Sequence, residues 1–176
     1  IEDKNAQALL ANENLLFSVI VHAATALSTV VIYRKDIATI LLDLLKFQWN
    51  DNTRFTAKIL LSMLPVMFIG LLFKDDLEAL FTGNITLVGC MLVITGMLLS
   101  FTHYAKERYG KVTFPKALII GIAQAIAVLP GISRSGATIS AGIITGVERS
   151  KAARFSFLMV LIPIFGMTAL ELKDYL

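Results

Sequence analysis

Cysteine and charged residues are scarce in this sequence, and each scarcity excludes a class of protein. Cysteine occurs once, at Cys90, so neither a disulfide framework nor a cysteine-based zinc site can form within one chain. Charged residues make up 16% of the 176 residues and hydrophobic residues 56%, whereas soluble domains carry roughly 25% charged residues. The net charge is only +3, and the basic residues stand in short clusters between apolar runs. The composition therefore indicates a membrane protein and argues against a nucleic-acid partner.

Four apolar runs are long enough to cross a bilayer, whose hydrocarbon core of about 30 Å needs about 20 helical residues. They cover residues 15–33, 56–73, 85–101 and 155–172. Pro65 and Pro163 lie inside two of these runs, where membrane helices tolerate a kink. Residues 36–47 place apolar and charged positions on opposite helical faces, which predicts an amphipathic helix at the membrane interface. The chain is thus predicted to be a single membrane domain, an all-α polytopic bundle of transmembrane helices.

Two further apolar runs are too short to cross. Residues 117–129 and 137–147 number 13 and 11, and 13 helical residues reach only about 20 Å. Short apolar segments interrupted by glycine and proline mark binding sites in helical membrane proteins. We therefore predict a re-entrant helix-loop-helix hairpin over 117–147. With both hairpin ends inside, twelve of the 16 lysines and arginines lie on the cytoplasmic side and three outside, as the preference of basic residues for cytoplasmic loops requires.

The loop of this hairpin, 129–138, reads LPGISRSGAT and is polar in an apolar region. Its candidate ligand-binding residues are Gly131, Ser133, Arg134, Ser135, Gly136 and Thr138. The glycines allow an irregular backbone, and the second helix, expected to begin near Ser135, presents its positive N-terminal end to the loop. Arg134 adds a planar fork that suits phosphate. Since the loop has no carboxylate, it predicts an anion site, with phosphate as the ligand.

Each candidate also has a structural interpretation. Arg134 could pair with backbone carbonyls, and Ser135 or Thr138 could serve only as a helix cap, although an arginine inside a membrane favours a functional role. Gln124, on the first hairpin helix, could face the ligand or bond another helix. His22, the ionisable group of the first run, could carry a proton, contact the substrate or be a hydrogen-bonded interior residue.

The segment LPGISRSGATIS, with AQAIAV before it and ARFSFLM after it, resembles the second signature of the undecaprenyl-diphosphate phosphatase family of the bacitracin-resistance type. The family pattern P-G-x-S-R-S-x-x-T is matched at Pro130, Gly131, Ser133, Arg134, Ser135 and Thr138. Two earlier segments, FSVIVHAATALSTVVIYRKD and SMLPVMFIGLLFKD, are also similar to family segments. The resemblance therefore covers essentially the whole chain.

The resemblance implies a bacterial inner-membrane enzyme whose active site opens to the periplasm. It would hydrolyse undecaprenyl diphosphate to undecaprenyl phosphate and phosphate, recycling the lipid carrier of peptidoglycan synthesis. The fold would contain inverted repeats with two re-entrant hairpins, and activity would depend on a divalent cation, Mg²⁺ or Ca²⁺. Ser133 and Arg134 would be catalytic, and the remaining motif residues would bind the diphosphate. The implied partners are a polyprenyl diphosphate lipid and the bilayer, and a homodimer stays open.

One large part of the family pattern does not occur in these 176 residues. It comprises a first signature, a glutamate-rich helix followed by a P-V-S-S-x-G-H loop, and the final transmembrane helices. We therefore expect a fragment that is inactive alone, with no metal ligand of its own and with the nucleophile or general base outside it. The alternative function is a membrane transporter or lipid-carrier flippase with an anion site on a broken helix, which shares the loop but needs no reactive group.

Overall fold

The computed structural model describes residues 20, 21, 23–46, 49–73, 80 and 85–175, of which 166–175 are described by their main chain. These residues form seven helices and no strand, apart from one isolated bridge between Gly110 and Val147. The helices are α1 (Ala23–Ile32), α2 (Arg34–Leu45), α3 (Asp51–Leu72), α4 (Ile85–Tyr104), α5 (Phe114–Ile126), α6 (Arg134–Ile144) and α7 (Arg149–Tyr175). The predicted all-α class is confirmed.

Two of the described helices, α3 with 22 residues and α4 with 20, are long and apolar enough to cross a membrane. Their most apolar windows are only 17% and 11% buried, respectively, whereas the core helix of a soluble protein is mostly buried. Leu71 is 78% and Met97 is 65% exposed. Apolar faces this large are costly in water and indicate contact with lipid or with another apolar protein surface.

The helices extend beyond the predicted apolar runs mainly at their ends, where polar residues are included in the helix. The run 56–73 lies in α3, which begins earlier because the Asn50 side chain accepts the Thr53 N–H at 2.9 Å and caps the helix. The runs 85–101 and 155–172 lie within α4 and α7, and the amphipathic segment 36–47 largely coincides with α2. The first run, 15–33, lies partly outside the described residues. Which helices cross the bilayer stays a prediction.

The hairpin of α5 and α6 occupies the centre of the fold. Its two ends meet, since the Glu148 N–H donates to the Gly110 carbonyl at 3.0 Å beside the Gly110–Val147 bridge. Helix α5 packs closely on α3, because a Cβ at Gly121 would overlap the main chain of Ser62. The same closeness joins α6 to α7 at Gly142, where a Cβ would lie 2.9 Å from that of Ala152. Small residues at such crossings let membrane helices approach.

Candidate functional site

The loop of the hairpin runs over 127–133. Helix α5 ends at Ile126, earlier than the predicted end at Pro130, and turn bonds follow from Val128 N to Ala125 O and from Leu129 N to Ile126 O. The physical reason is that Pro130 has no N–H to donate to the helix and disfavours a helical conformation at Leu129. The loop therefore begins earlier than the sequence pattern predicts.

Gly131 brings this loop against helix α4. Its φ of +95° lies in the left-handed region that favours glycine. A Cβ at this position would lie 2.5 Å from the Val88 carbonyl oxygen and 2.9 Å from the Met91 Cβ. Both the backbone conformation and the space therefore require glycine at this position, and the predicted role of Gly131 in shaping the loop has a specific geometric cause.

Thr95 of α4 holds the loop on both sides of Ile132. Its Oγ1 accepts the Ser133 N–H at 3.2 Å. The same hydroxyl can donate either to the Gly131 carbonyl oxygen at 3.2 Å or to the Met91 carbonyl oxygen at 3.0 Å. The side chain is 8% exposed. Sequence reasoning missed Thr95, because a threonine in an apolar helix ordinarily bonds only a carbonyl of its own helix.

Helix α6 begins at Arg134, one residue before the expected start, with Ser133 as its N-cap. The Ser133 Oγ accepts the Gly136 N–H at 3.1 Å, so the cap is Ser133 and not Ser135 or Thr138. Among the described residues, the main-chain N–H groups of Arg134 and Ser135 have no hydrogen-bond acceptor. These groups lie at the positive end of the helix, where an anion is stabilised.

The Arg134 side chain is half-buried and forms no hydrogen bond, ion pair or ring contact with any residue that the structure describes. The alternative in which Arg134 pairs with backbone carbonyls therefore finds no such bond in this part of the chain. A guanidinium carries five N–H donors and cannot lose its charge, so an unpaired one in a half-buried position is suited to bind an anion. Ser133, Arg134, Ser135 and Gly136 thus stand together at one end of α6.

Thr138 is placed differently from these residues. It is 1% exposed, its Oγ1 lies 2.5 Å from the Ser156 Oγ of α7, and it can donate to the Arg134 carbonyl oxygen at 2.9 Å. These contacts position α6 against α7. Phosphate binding by Thr138 stays a prediction, and the contacts of its hydroxyl support a positioning role.

Gln124 is 0% exposed, and neither its Oε1 nor its Nε2 has a hydrogen-bond partner among the described residues. The same holds for the Ser140 Oγ. Of the two alternatives for Gln124, a bond to another helix is therefore absent from this part of the structure. Since an unpaired buried polar group costs about 1–3 kcal/mol, a water, a ligand or another protein group is expected to meet the amide. His22 lies outside the described residues, and its alternatives stay open.

The described residues do not fit the divalent cation that the resemblance implies. No group of three or more histidine, cysteine, aspartate or glutamate side chains within them could hold a metal ion. The groups at the start of α6 are N–H groups, hydroxyls and a guanidinium, and a divalent cation instead prefers carboxylate and carbonyl oxygens. This end of α6 is suited to an anion.

Comparison with known proteins gives the family of the chain. The family model described as "Bacitracin resistance protein BacA" matches residues 5–176. A relative from Christiangramia forsetii named undecaprenyl-diphosphatase is 56% identical over 165 residues, covering 94% of this chain and 62% of the relative. Proteins of the same name from Bacteroides fragilis YCH46 and Carboxydothermus hydrogenoformans are 50% and 39% identical, covering 90% and 92% of this chain and 60% of each relative.

The chain thus spans about three fifths of the length of the curated relatives it matches. The matched residues include those of the loop, Thr95 and the start of α6. On the match over 5–176 and these identities, the chain belongs to the bacitracin resistance protein BacA family.

Proposed function

We propose that the full-length protein carrying this chain hydrolyses undecaprenyl diphosphate to undecaprenyl phosphate and phosphate, recycling the lipid carrier of cell-wall synthesis. The observation that carries the proposal is the N-terminal end of α6. There, the Ser133 hydroxyl stands beside two N–H groups and the Arg134 guanidinium, none of which has a partner among the described residues. A relative 56% identical to this chain carries the name undecaprenyl-diphosphatase.

In this proposal the terminal phosphate of the substrate lies at the start of α6. The N–H groups of Arg134 and Ser135 donate to its oxygens, and the Arg134 guanidinium donates two parallel bonds as negative charge builds up on them. The Ser133 oxygen accepts the Gly136 N–H, which leaves its own O–H free to donate to the substrate. Preorganised donors of this kind stabilise the transition state without reorganising.

The reaction itself is phosphoryl transfer to water, or to a serine or histidine outside the described residues. The bond between the terminal phosphorus and the bridging oxygen breaks, and undecaprenyl phosphate leaves with that oxygen. We expect the general base or nucleophile, and the ligands of an Mg²⁺ or Ca²⁺ ion, outside this chain. A homodimer stays an expectation.

The proposal includes a topology. Helices α5 and α6 would form a re-entrant hairpin in the bacterial inner membrane, as one half of an inverted repeat, with both ends cytoplasmic and the site open to the periplasm. Three observations support it: α5 has 13 residues, about 20 Å; the hairpin ends meet at Gly110 and Val147; and the flanking segments are basic.

Cysteine labelling tests the topology. Single cysteines replace Lys111 or Lys151 in a Cys90→Ala background, and an impermeant thiol reagent is added to intact cells. We expect labelling of both sites only after the cells are permeabilised. Labelling of either cysteine from outside intact cells would contradict a hairpin with cytoplasmic ends.

Phosphate release tests the reaction. The full-length protein in detergent is given undecaprenyl diphosphate and Mg²⁺ or Ca²⁺, and free phosphate is measured, with the Arg134→Ala variant as the paired control. We expect release by the unchanged protein and a large loss in the variant. In proteoliposomes, movement of the lipid between leaflets without phosphate release would instead support the flippase alternative.

A further inference from the structure

A second polar cavity lies at the opposite end of α5 from the loop, where α3, α5 and α7 begin. Its volume is about 240 Å³. The lining residues include Asp51, Phe55, Lys58, Lys111, Lys151 and Arg154. Because α5 is 13 residues long, about 20 Å separates this cavity from the start of α6, and the two polar regions are distinct.

The cavity carries more positive than negative charge. Lys58 and Lys111 form no ion pair with any described carboxylate, and Asp51 is the acidic residue of the lining. Helices α3 and α7 begin at this end and add the positive ends of their dipoles. The cavity therefore favours an anion, and two lysines with no carboxylate partner suit a phosphate group.

The other two cations have carboxylate partners. Lys151 pairs with Glu148, and Arg154 pairs with Asp36 of α2 at 2.7 Å while its guanidinium lies 5.3 Å from the centre of the Phe55 ring. The Nε of Arg154 is buried without an acceptor among the described residues. These pairs hold the wall of the cavity in place, and its excess positive charge comes from the two lysines without ion pairs.

An apolar groove of about 450 Å³ is lined by residues of α2, α3 and α7, and α3 and α7 also line the cavity. On α7, Lys151 and Arg154 line the cavity. Leu158, Leu161 and Phe165 follow them along α7 at spacings of three and four residues and line the groove. Residues at these spacings share one helical face. Helix α3 adds Ile59, one turn beyond Phe55, and α2 adds Ile37, Ile40 and Leu41.

We propose that the cavity and the groove together bind one anionic glycerophospholipid, with its phosphate between Lys58 and Lys111 and an acyl chain along α7. The face of α7 from Arg154 to Phe165 extends about 16 Å, about half of a hydrocarbon core of roughly 30 Å. Basic pockets between membrane helices on the cytoplasmic side bind acidic headgroups. Asp51 can accept a bond from a glycerol headgroup hydroxyl, which an isoprenyl phosphate lacks. This site rests on the topology proposed above, with the hairpin ends cytoplasmic, and not on the reaction.

Thermal unfolding of the full-length protein in detergent measures the binding. The added probes are short-chain phosphatidylglycerol, short-chain phosphatidylcholine, farnesyl phosphate and inorganic phosphate. A ligand that binds only the folded protein raises the Tm, and we expect phosphatidylglycerol to raise it most. Equal protection by phosphatidylcholine would overturn the anion site. Farnesyl phosphate or inorganic phosphate would overturn the phospholipid as the occupant if it protects equally and Lys58→Gln with Lys111→Gln abolishes that protection, since protection through the start of α6 would survive these changes.

Variants locate the site. Each lysine near an anionic lipid contributes roughly fivefold in affinity, so Lys58→Gln with Lys111→Gln should weaken phosphatidylglycerol binding by about tenfold to thirtyfold. The control pair, Lys35→Gln with Lys106→Gln, removes the same charge at exposed positions outside the cavity. It should change the affinity for phosphatidylglycerol by less than about threefold. Equal losses in both pairs would overturn the proposal. If the double variant does not fold, Lys111→Gln alone should show about a fivefold loss.

A third variant tests the groove separately. Ile162 lines the groove and is 44% exposed, so Ile162→Trp should fill it without disturbing the core. We expect weaker binding of phosphatidylglycerol and an unchanged response to inorganic phosphate. Unchanged phosphatidylglycerol binding in Ile162→Trp would overturn the placement of the acyl chain.

Discussion

Thr95→Val should loosen the loop without changing the shape of the side chain. The variant removes the acceptor of the Ser133 N–H, 3.2 Å away, and a donor to the Gly131 carbonyl oxygen. An unpaired buried donor costs about 1–3 kcal/mol. Because Ser133 is itself exposed, water can replace part of the bond, and we expect the lower end, about 1 kcal/mol. That reduces the population of the correctly placed loop about fivefold.

The assay is phosphate release by the full-length protein, with Tm measured on the same preparations. We expect kcat to fall at least about fivefold in Thr95→Val and Thr95→Ser, which keeps the hydroxyl, to retain most activity. Thr102→Val is the matched control. Thr102 is 6% exposed against 8% for Thr95, and among the described residues its hydroxyl donates to the Leu99 carbonyl oxygen of its own helix and to no loop group. Unchanged release in Thr95→Val, or an equal loss in Thr102→Val, would refute the role of Thr95.

Four further predictions concern single residues. Arg134→Lys keeps the positive charge but loses the planar guanidinium that donates two parallel hydrogen bonds. Arg134→Lys and Arg134→Ala should therefore each lower kcat by about 10²–10³ with little change in Tm. Normal kcat with a lowered Tm would indicate a structural arginine. Gly131→Ala should lower Tm and activity, because a left-handed backbone costs about 1–2 kcal/mol for other residues and the Cβ would lie 2.5 Å from the Val88 carbonyl oxygen. Gly96→Ala is the control, since a Cβ at Gly96 would have no atom within 4 Å, and it should lower neither Tm nor activity. Hydrogen bonds from Lys151 and Ser150 hold the pKa of Glu148 below its ordinary 4.5. The Glu148 carboxylate therefore stabilises the fold above about pH 4.5 and loses this effect as the pH falls through the lowered pKa, so Tm should fall on acidification, and less so in Glu148→Gln. Gln124→Met should lower Tm, since the buried amide has no partner among the described residues and a water, a ligand or another protein group is expected to meet it; an unchanged or raised Tm would show that the amide is unpaired.

Much of the architecture follows from local patterns. The runs 56–73 and 85–101 are helical because long apolar stretches leave the backbone no other way to satisfy its hydrogen bonds in lipid. The short runs 117–129 and 137–147 predict two short helices with a loop between them. Helices α5 and α6 have this arrangement, but the loop lies at 127–133 and not at 129–138. The bounds were less predictable, because Pro130 acts on the residues before it and Ser133 takes the cap that the structural alternative gave to Ser135 or Thr138.

The role of Thr95 could not be predicted from spacing. It lies 36 and 38 residues before the loop groups that it bonds, and only the packing of α4 against Gly131 brings them together. The partner of the Thr138 hydroxyl could not be predicted from spacing either, because it is Ser156 of α7, 18 residues further along the chain. A hydroxyl can serve a ligand or a neighbouring helix equally well by its chemistry, and the three-dimensional neighbour decides.

Sequence alone therefore determined the properties that belong to one segment at a time. These are the apolar lengths that predict helices, the glycine and proline that break the hairpin, and the residue types of an anion-binding motif. Tertiary structure decided which groups are paired and which stay unpaired. Arg154 has Asp36 as its partner, whereas Lys58, Lys111 and Arg134 have no carboxylate partner among the described residues. The physical reason is that ion pairs and hydrogen bonds act over a few ångströms, and residues far apart in sequence come that close only when the helices pack.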